Sequence, residues 1–231
     1  MRKYLNIILT LTFNILIFNQ YFASDSISFH SSVLLKNYKE LIPLKNLDTL
    51  EIASLNLSSN NLNFFEEACD HYSTVEHFHF NTFSSKRMVR SMLKELKSFN
   101  LIIVNTDTIH EVIANMISNI SDQKKVILNY VGGKMLMYED LINNSCQRIL
   151  FSPTKKSKDL CYSGQIIFGG LSCNNFLKTD LSNNYKANSG IESKKIRLSY
   201  VSPNDLKIQN DNRVDFSLLP LSDGLSFIRK K

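Results

Sequence analysis

The sequence predicts an α/β protein built on a mainly parallel sheet. From about Leu50 onward, short apolar runs alternate with longer amphipathic ones, which is the pattern of strands joined by crossover helices. The run from Leu101 to Val104 is continuously apolar, as in strands that are buried on both faces. A chain of 231 residues with 43% hydrophobic content can form one sizeable core. We therefore expect one domain with extensions at its ends.

The first half of the pattern contains three strands and two helices. Strands are predicted at 50–57 and 74–80, and the intervening helix at 62–71 has its apolar residues at helical spacing. The helix at 84–99 follows, with a serine as its cap, methionines and leucines on one face and basic residues on the other. The apolar strand at 101–104 is predicted to lie at the centre of the sheet.

The second half repeats the alternation. Its helices and strands are predicted, in turn, at 109–120, 125–131, 135–142, 148–151, 160–168 and 196–201. One pair of glycines breaks the chain after the first of these strands, and another pair ends the last helix. The Asn- and Ser-rich stretch 172–193 has too few apolar residues for a packed element, and residues 209–231 are predicted to be a tail.

The N-terminus resembles an export signal. Arg2 and Lys3 precede the apolar run 5–18, which is too short for an ordinary spanning helix but suits a secretory h-region. Residues 1–24 are therefore predicted to be a signal peptide, or an anchor if the bulky Tyr21 prevents cleavage after Ala23. The protein is expected to be exported, whether periplasmic, secreted or membrane-anchored, and to contact a membrane only through this segment if it stays uncleaved.

Charge and cysteine usage exclude several classes of protein. The net charge of +6 comes from dispersed Lys and Arg, so a nucleic-acid partner is not expected. The cysteines are not paired closely enough to form a zinc ribbon or a redox motif, and buried thiols are favoured over the disulfides that an oxidising compartment would permit. They are Cys69, Cys146, Cys161 and Cys173.

Motifs for common chemistries are missing or incomplete. Ser163 lacks the G-x-S-x-G context of a serine nucleophile. His77 and His79 alternate on a predicted strand and share a face, where packing is favoured over metal ligation because Phe78 and Phe80 supply the buried face. The glycine pair at 132–133 lacks phosphate-loop spacing and is predicted to be a turn, so neither a metal nor a cofactor is expected.

Position in the predicted sheet nominates a binding site. Ligands of open parallel sheets lie beyond the carboxyl ends of the strands, which selects Asn105, Thr106 and Asp107 after one strand and Gly132 after the next. Glycoside hydrolysis requires two carboxyl groups held across the scissile bond, and the neighbouring acidic pairs on the predicted helices diverge. We predict substrate-binding residues at this edge and no catalytic residue.

Four segments of the sequence resemble those of a known protein family. These are "SVLLKN" followed by "LIPL" near the start, "FFEEACDHYSTVEHFHF" ending at Phe80, "IFGGL" at 167–171 and "NYKANSGIESKKIRLSY" at 184–200. In order and spacing they resemble the C-terminal domain of family 3 glycoside hydrolases, in its exported bacterial β-N-acetylglucosaminidase-like branch. The resemblance assigns residues 31–208 to this domain. The turn after "FGG" departs from the family pattern.

The resemblance implies a three-layer α/β/α sandwich. It also implies that the nucleophilic aspartate and the acid/base histidine belong to a barrel that precedes this domain, so no catalytic residue carries over. We expect an accessory, non-catalytic domain in exported aminosugar glycan metabolism. The alternative is half of a split β-N-acetylglucosaminidase that hydrolyses O-glycosyl bonds with a barrel partner. The expected partners are thus a glycan or a barrel-domain glycosidase.

Two other interpretations of the sequence remain open. A flavodoxin-like small-molecule-binding domain shares the alternating pattern, but residues 56–61, after the first strand, contain no glycine to cradle a phosphate. The chain could also be the remnant of a decayed longer gene.

Overall fold

A computed structural model describes residues 31–58, 62–80, 86–132 and 139–200, together with the backbone of two strands nearer the C-terminus. The predicted signal or anchor at 1–24 lies outside the described residues. Within the described part of the chain, no helix is both long and apolar enough to cross a membrane.

Six strands form one sheet. They are Val33–Asn37 (β1), Ile52–Asn56 (β2), Val75–His79 (β3), Leu101–Thr106 (β4), Lys125–Val131 (β5) and Arg148–Ser152 (β6). Their spatial order is β1-β6-β5-β4-β2-β3, in which only the pairing of β1 with β6 is antiparallel. The predicted α/β class with a mainly parallel sheet is therefore confirmed.

The strand β4 lies at the centre, as its sequence predicts. It pairs with β2 on one side and β5 on the other, and Ile103 is in register with Ser54 and Ile127. All four residues from Leu101 to Val104 are fully buried. Because neighbours cover both faces, a continuous apolar run replaces the alternation of a half-exposed strand.

Within the described residues, five α-helices cover the two faces of the sheet. They are Asn63–Asp70 (α1), Lys86–Glu95 (α2), Glu111–Ser121 (α3), Glu139–Ser145 (α4) and Ser157–Phe168 (α5). Ile102 and Val104 pack with the helices α2, α3 and α4, whereas Leu101 and Ile103 pack with α1 and α5. This alternation follows the pleat of β4. The molecule is thus the expected three-layer α/β/α sandwich.

A glycine allows α1 and α5 to approach closely. A Cβ placed at Gly164 would lie 3.0 Å from the Cβ of Ala68 and 3.1 Å from the carbonyl oxygen of Phe65. These distances are tighter than ordinary van der Waals contact. The small side chain in mid-helix therefore has a packing reason that outweighs its poor helix propensity.

The strand predicted at 196–201 is wrong for its described residues, 196–200, which have no strand pairing. The amides of Ile196 and Arg197 instead both donate to the carbonyl oxygen of Gly169, each at 2.9 Å. The Arg197 Nη1 also donates to the carbonyls of Leu44 and Phe168, at 2.6 and 2.7 Å. These bonds hold the backbone of the segment against the end of α5 instead of in the sheet, and they leave Ile196 and Leu198 45% and 57% exposed.

The sequence pattern missed the edge strand β1 and the last two strands. The sheet pattern was expected to begin near Leu50, but Val33–Asn37 already pairs with β6, with an irregular register between Leu34 and Lys36. Within the predicted tail, Val214–Leu218 (β7) and Ser226–Lys230 (β8) pair antiparallel with each other. The sequence at 33–37 shows no strand alternation, whereas 214–218 does alternate apolar and polar residues, which is a strand signal within the predicted tail.

The segment 172–193 forms no helix or strand, as predicted, but it packs against the core. Two isolated bridges join Leu34 to Ile191 and Cys173 to Ser193. Its buried apolar side chains are Cys173, Leu177, Leu181 and Tyr185. All four cysteines of the chain are free thiols, and only Cys161 among them is partly exposed, which confirms the prediction of buried thiols for the other three.

Candidate functional site

The carboxyl ends of β2, β4, β5 and β6 meet along one side of the sheet, here named the carboxyl edge. Ser58, Asp107, Gly132 and Lys155 follow these four strands in turn. Parallel pairing brings them together although they are far apart in sequence. This is the place at which open α/β sheets bind ligands.

An ion pair between Asp107 and Lys155 forms the charged centre of the carboxyl edge. The Lys155 Nζ lies 2.6 Å from the Asp107 Oδ2, with the lysine side chain 42% exposed and the aspartate side chain 12% exposed. Burial alone would raise the pKa of Asp107, but hydrogen bonds from Lys155 and Ser58 and the lysine charge outweigh it and hold the pKa below its usual value. At neutral pH the pair offers both an acceptor and a partly solvated donor.

Gly132 lies directly beside this pair. Its φ of +140° is unfavourable for residues with a side chain, and its amide donates to the Ser152 carbonyl at 2.9 Å. A Cβ at this position would lie 3.5 Å from the Lys155 Cε and 3.8 Å from the Asp107 carbonyl oxygen. The structure therefore brings two of the predicted binding residues, Asp107 and Gly132, into one small area.

The other two predicted residues have buried side chains. Asn105 donates from Nδ2 to the Ser54 Oγ at 3.0 Å and accepts from the Asn129 Nδ2 at 2.8 Å. Thr106 donates from Oγ1 to the Thr108 carbonyl at 2.7 Å, which shapes the turn after β4. Their side chains support the carboxyl edge from inside the protein, and a direct ligand contact from either stays a prediction.

A second carboxylate near this edge is also held by the protein. Asp159, in the first turn of α5, accepts a hydrogen bond from the Ser31 Oγ at 3.2 Å and another from the Thr154 Oγ1. Asp107 and Asp159 therefore each have partners supplied by the chain itself. Because the pKa of Asp107 is held below its usual value, this carboxyl group is unsuited to act as a proton donor.

The two strand histidines join β3 to α1. The His77 Nε2 lies 2.9 Å from the Asp70 Oδ1, and the His79 Nε2 lies 3.3 Å from the Glu66 Oε1. The phenylalanines of the same segment, at 78 and 80, pack against the core, as predicted. Within the described residues, no group of three His, Cys, Asp or Glu side chains is arranged to hold a metal ion.

Sequence reasoning missed Lys155, Ser58 and the contribution of Tyr130. Burial chiefly raises the pKa of the Tyr130 hydroxyl, and the charge of Asp107 raises it further, so this tyrosine lies within electrostatic reach of the ion pair. The rule that selected residues after β4 and β5 would also select Ser58 after β2 and Lys155 after β6.

An α/β sandwich of this kind occurs in solved glycosidases. A family 3 exo-β-xylosidase superposes with a TM-score of 0.55 at 18% identity, covering 64% of this chain and 24% of that chain. A β-glucosidase from Listeria innocua gives 0.54 at 14% identity, covering 65% and 25%. A fungal multi-domain family 3 β-N-acetylglucosaminidase gives 0.51 at 15% identity, covering 64% and 17%.

These likenesses define the fold shared with family 3 glycosidases. At such identities they show the fold alone, and the chain spans about a quarter or less of the length of each enzyme. No protein-family model and no curated protein matches the sequence.

Proposed function

We propose that this chain is an accessory α/β domain of a family 3-type glycosidase system, acting on aminosugar glycans outside the cytoplasm. The observation that carries the proposal is the fold shared with a xylosidase, a glucosidase and an N-acetylglucosaminidase of that kind. The predicted signal segment at 1–24 is the reason for proposing export. The domain assignment at 31–208 belongs to the same proposal.

The carboxyl edge is the surface that we assign to the glycan. Sugar hydroxyls both donate and accept hydrogen bonds, and the Asp107–Lys155 pair presents an acceptor beside a donor with 42% of the lysine side chain exposed. Gly132 leaves the backbone open next to the pair because it has no side chain. A hydroxyl-rich ligand could therefore approach both charges and the main chain.

The proposed role is non-catalytic because Asp107, the carboxylate at the centre of this edge, is unsuited to act as the proton donor. Hydrolysis needs a proton donor and a second carboxylate across the bond. The pKa of Asp107 lies below its usual value through its bond to Lys155, and Asp159 is held by two hydroxyl groups. The side chains of Asp107 and Asp159 therefore stabilise the structure of the carboxyl edge.

A second function is favoured by the coverage of the solved enzymes. About three quarters of the xylosidase lies outside the region matched by this chain, since the match covers 24% of that enzyme. If a separate chain supplied a catalytic barrel, this domain would close one wall of a shared active site. The protein would then be half of a split β-N-acetylglucosaminidase-type enzyme.

Titration of the 231-residue chain with triacetylchitotriose, followed by two-dimensional amide NMR, tests the assignment of the carboxyl edge. We expect saturable shifts of the Asp107 and Gly132 amide signals. Asp107→Asn should weaken binding by about tenfold, the loss expected when one charged hydrogen bond is removed.

Asp180→Asn is the matched control for this titration. Asp180 also pairs with a lysine, Lys186, at 3.2 Å, but both side chains are more than half exposed and lie in the segment after α5. This variant should bind like the unmodified chain. Equal weakening by the two variants, or shifts remote from the carboxyl edge, would contradict the assignment.

A further inference from the structure

A second polar cluster lies at the end of β6 opposite to the carboxyl edge, where the parallel strands begin. Because β1 runs antiparallel to β6, its last residue, Asn37, is in register with Arg148, the first residue of β6. Tyr38 follows immediately and is 52% exposed. The Lys39 Nζ and the Arg148 Cζ lie 5.3 and 5.8 Å from the centroid of its ring.

The two cations of this cluster have no acidic partner. Within the part of the chain that the structure describes, no carboxylate forms an ion pair with Lys39 or Arg148. The Arg148 Nε is buried without a hydrogen-bond partner there. Burial also lowers the pKa of the Arg148 guanidinium. A partly desolvated cation without a counter-ion is unfavourable, and an anion bound beside it would relieve that cost.

The backbone holds this cluster in an unfavourable conformation. Lys39 and Glu40 are consecutive non-glycine residues with φ of 57° and 48°. This left-handed region is costly for residues that have a Cβ, and such strain is concentrated at binding and catalytic sites.

We propose that Tyr38, Lys39 and Arg148 form a binding site for an oxyanion carried by a saccharide, such as the carboxylate of a uronic acid. The guanidinium and the ammonium would bind the carboxylate, since a planar guanidinium fits both of its oxygens. The half-exposed ring would pack against the apolar face of the sugar. The claim that the ligand is a saccharide rests on the proposed function, whereas the claim that it carries an oxyanion rests on the cations of this cluster.

Calorimetric titration of the 231-residue chain at low ionic strength with trigalacturonate tests this site. We expect binding that weakens with added salt and is reduced about tenfold in Arg148→Gln and in Lys39→Gly. The Lys39→Gly variant is expected to fold, because glycine suits the left-handed backbone at this position, so a loss of binding in this variant would not result from misfolding. The control Lys186→Ala removes an exposed lysine elsewhere and should leave the affinity unchanged.

Three results would overturn the proposal. The first is trigalacturonate binding that neither cluster variant weakens, and the second is no trigalacturonate binding at all. The third is inorganic phosphate binding as tightly as trigalacturonate, which would show that the saccharide adds nothing to the affinity. Triacetylchitotriose binding in the Lys39→Gly variant separates this proposal from the previous one, since loss of trigalacturonate binding with retained chitotriose binding leaves the carboxyl edge unaffected.

Discussion

Replacing Phe65 by alanine is expected to lower the free energy of unfolding by about 3–5 kcal/mol, the range for truncating a buried aromatic side chain. Phe65 is fully buried on α1 and belongs to the core between α1, α5 and the sheet. Its carbonyl also lies against Gly164, so the two helices have little freedom to collapse into the space left behind. Urea unfolding followed by circular dichroism measures the change.

Phe64 provides the matched control for this substitution. It is the preceding residue of the same helix but is 45% exposed, so Phe64→Ala should cost less than about 1 kcal/mol. Both substitutions remove the same atoms and alter helix propensity equally. If the two variants lost equal stability, the orientation of α1 described above would be wrong.

Substituting Asn105 by leucine is expected to destabilise the protein by about 2–4 kcal/mol, even though leucine has the same number of side-chain heavy atoms and the same branching at Cγ. The change removes the donor to the Ser54 Oγ and the acceptor for the Asn129 Nδ2, at a position that is fully buried. The Asn129 amide would keep only its longer contact with the Ser163 Oγ, at 3.4 Å. Two buried polar groups would thus lose good partners.

A double-mutant cycle with Asn129→Leu isolates the bond between the two amides. We expect the double variant to be more stable than the sum of the single effects predicts, by about 1 kcal/mol or more, because the second change removes a group that the first leaves unsatisfied. Asn100→Ala paired with Asn129→Leu is the control, since Asn100 bonds only to the main chain near β2. Additive effects in both cycles would count against the buried amide network.

The sequence predicted the sheet where burial on both faces leaves a continuous apolar run, as in Leu101–Val104 at the centre. It failed at β1, an edge strand whose pairing with β6 depends on residues more than 100 positions away in the chain. It also failed at 196–200, where bonds from Arg197 to the end of α5 replace a strand. Local periodicity carries no information about such distant partners.

The candidate site was predictable in position but not in chemistry. The carboxyl-end rule selected Asp107 and Gly132, which the structure brings beside each other. It could not show that the Asn105 side chain points into a buried network, because orientation at a strand end depends on the neighbouring strands. The contact of Lys155 with Asp107 could not be predicted from the sequence, because it depends on the pairing of β6 with β5, which sets the distance between the two side chains.

The most direct test of the accessory role is hydrolysis of a chromogenic N-acetyl-β-glucosaminide by the purified chain, alone and mixed with a barrel-only glycosidase encoded beside it. We expect no turnover above the buffer rate by the chain alone, because Asp107 is paired with Lys155 and Asp159 accepts hydrogen bonds from two hydroxyl groups. Turnover only in the mixture would support the second proposed function, in which the chain is half of a split enzyme. Turnover by the chain alone, abolished by replacing one carboxylate, would contradict the accessory role.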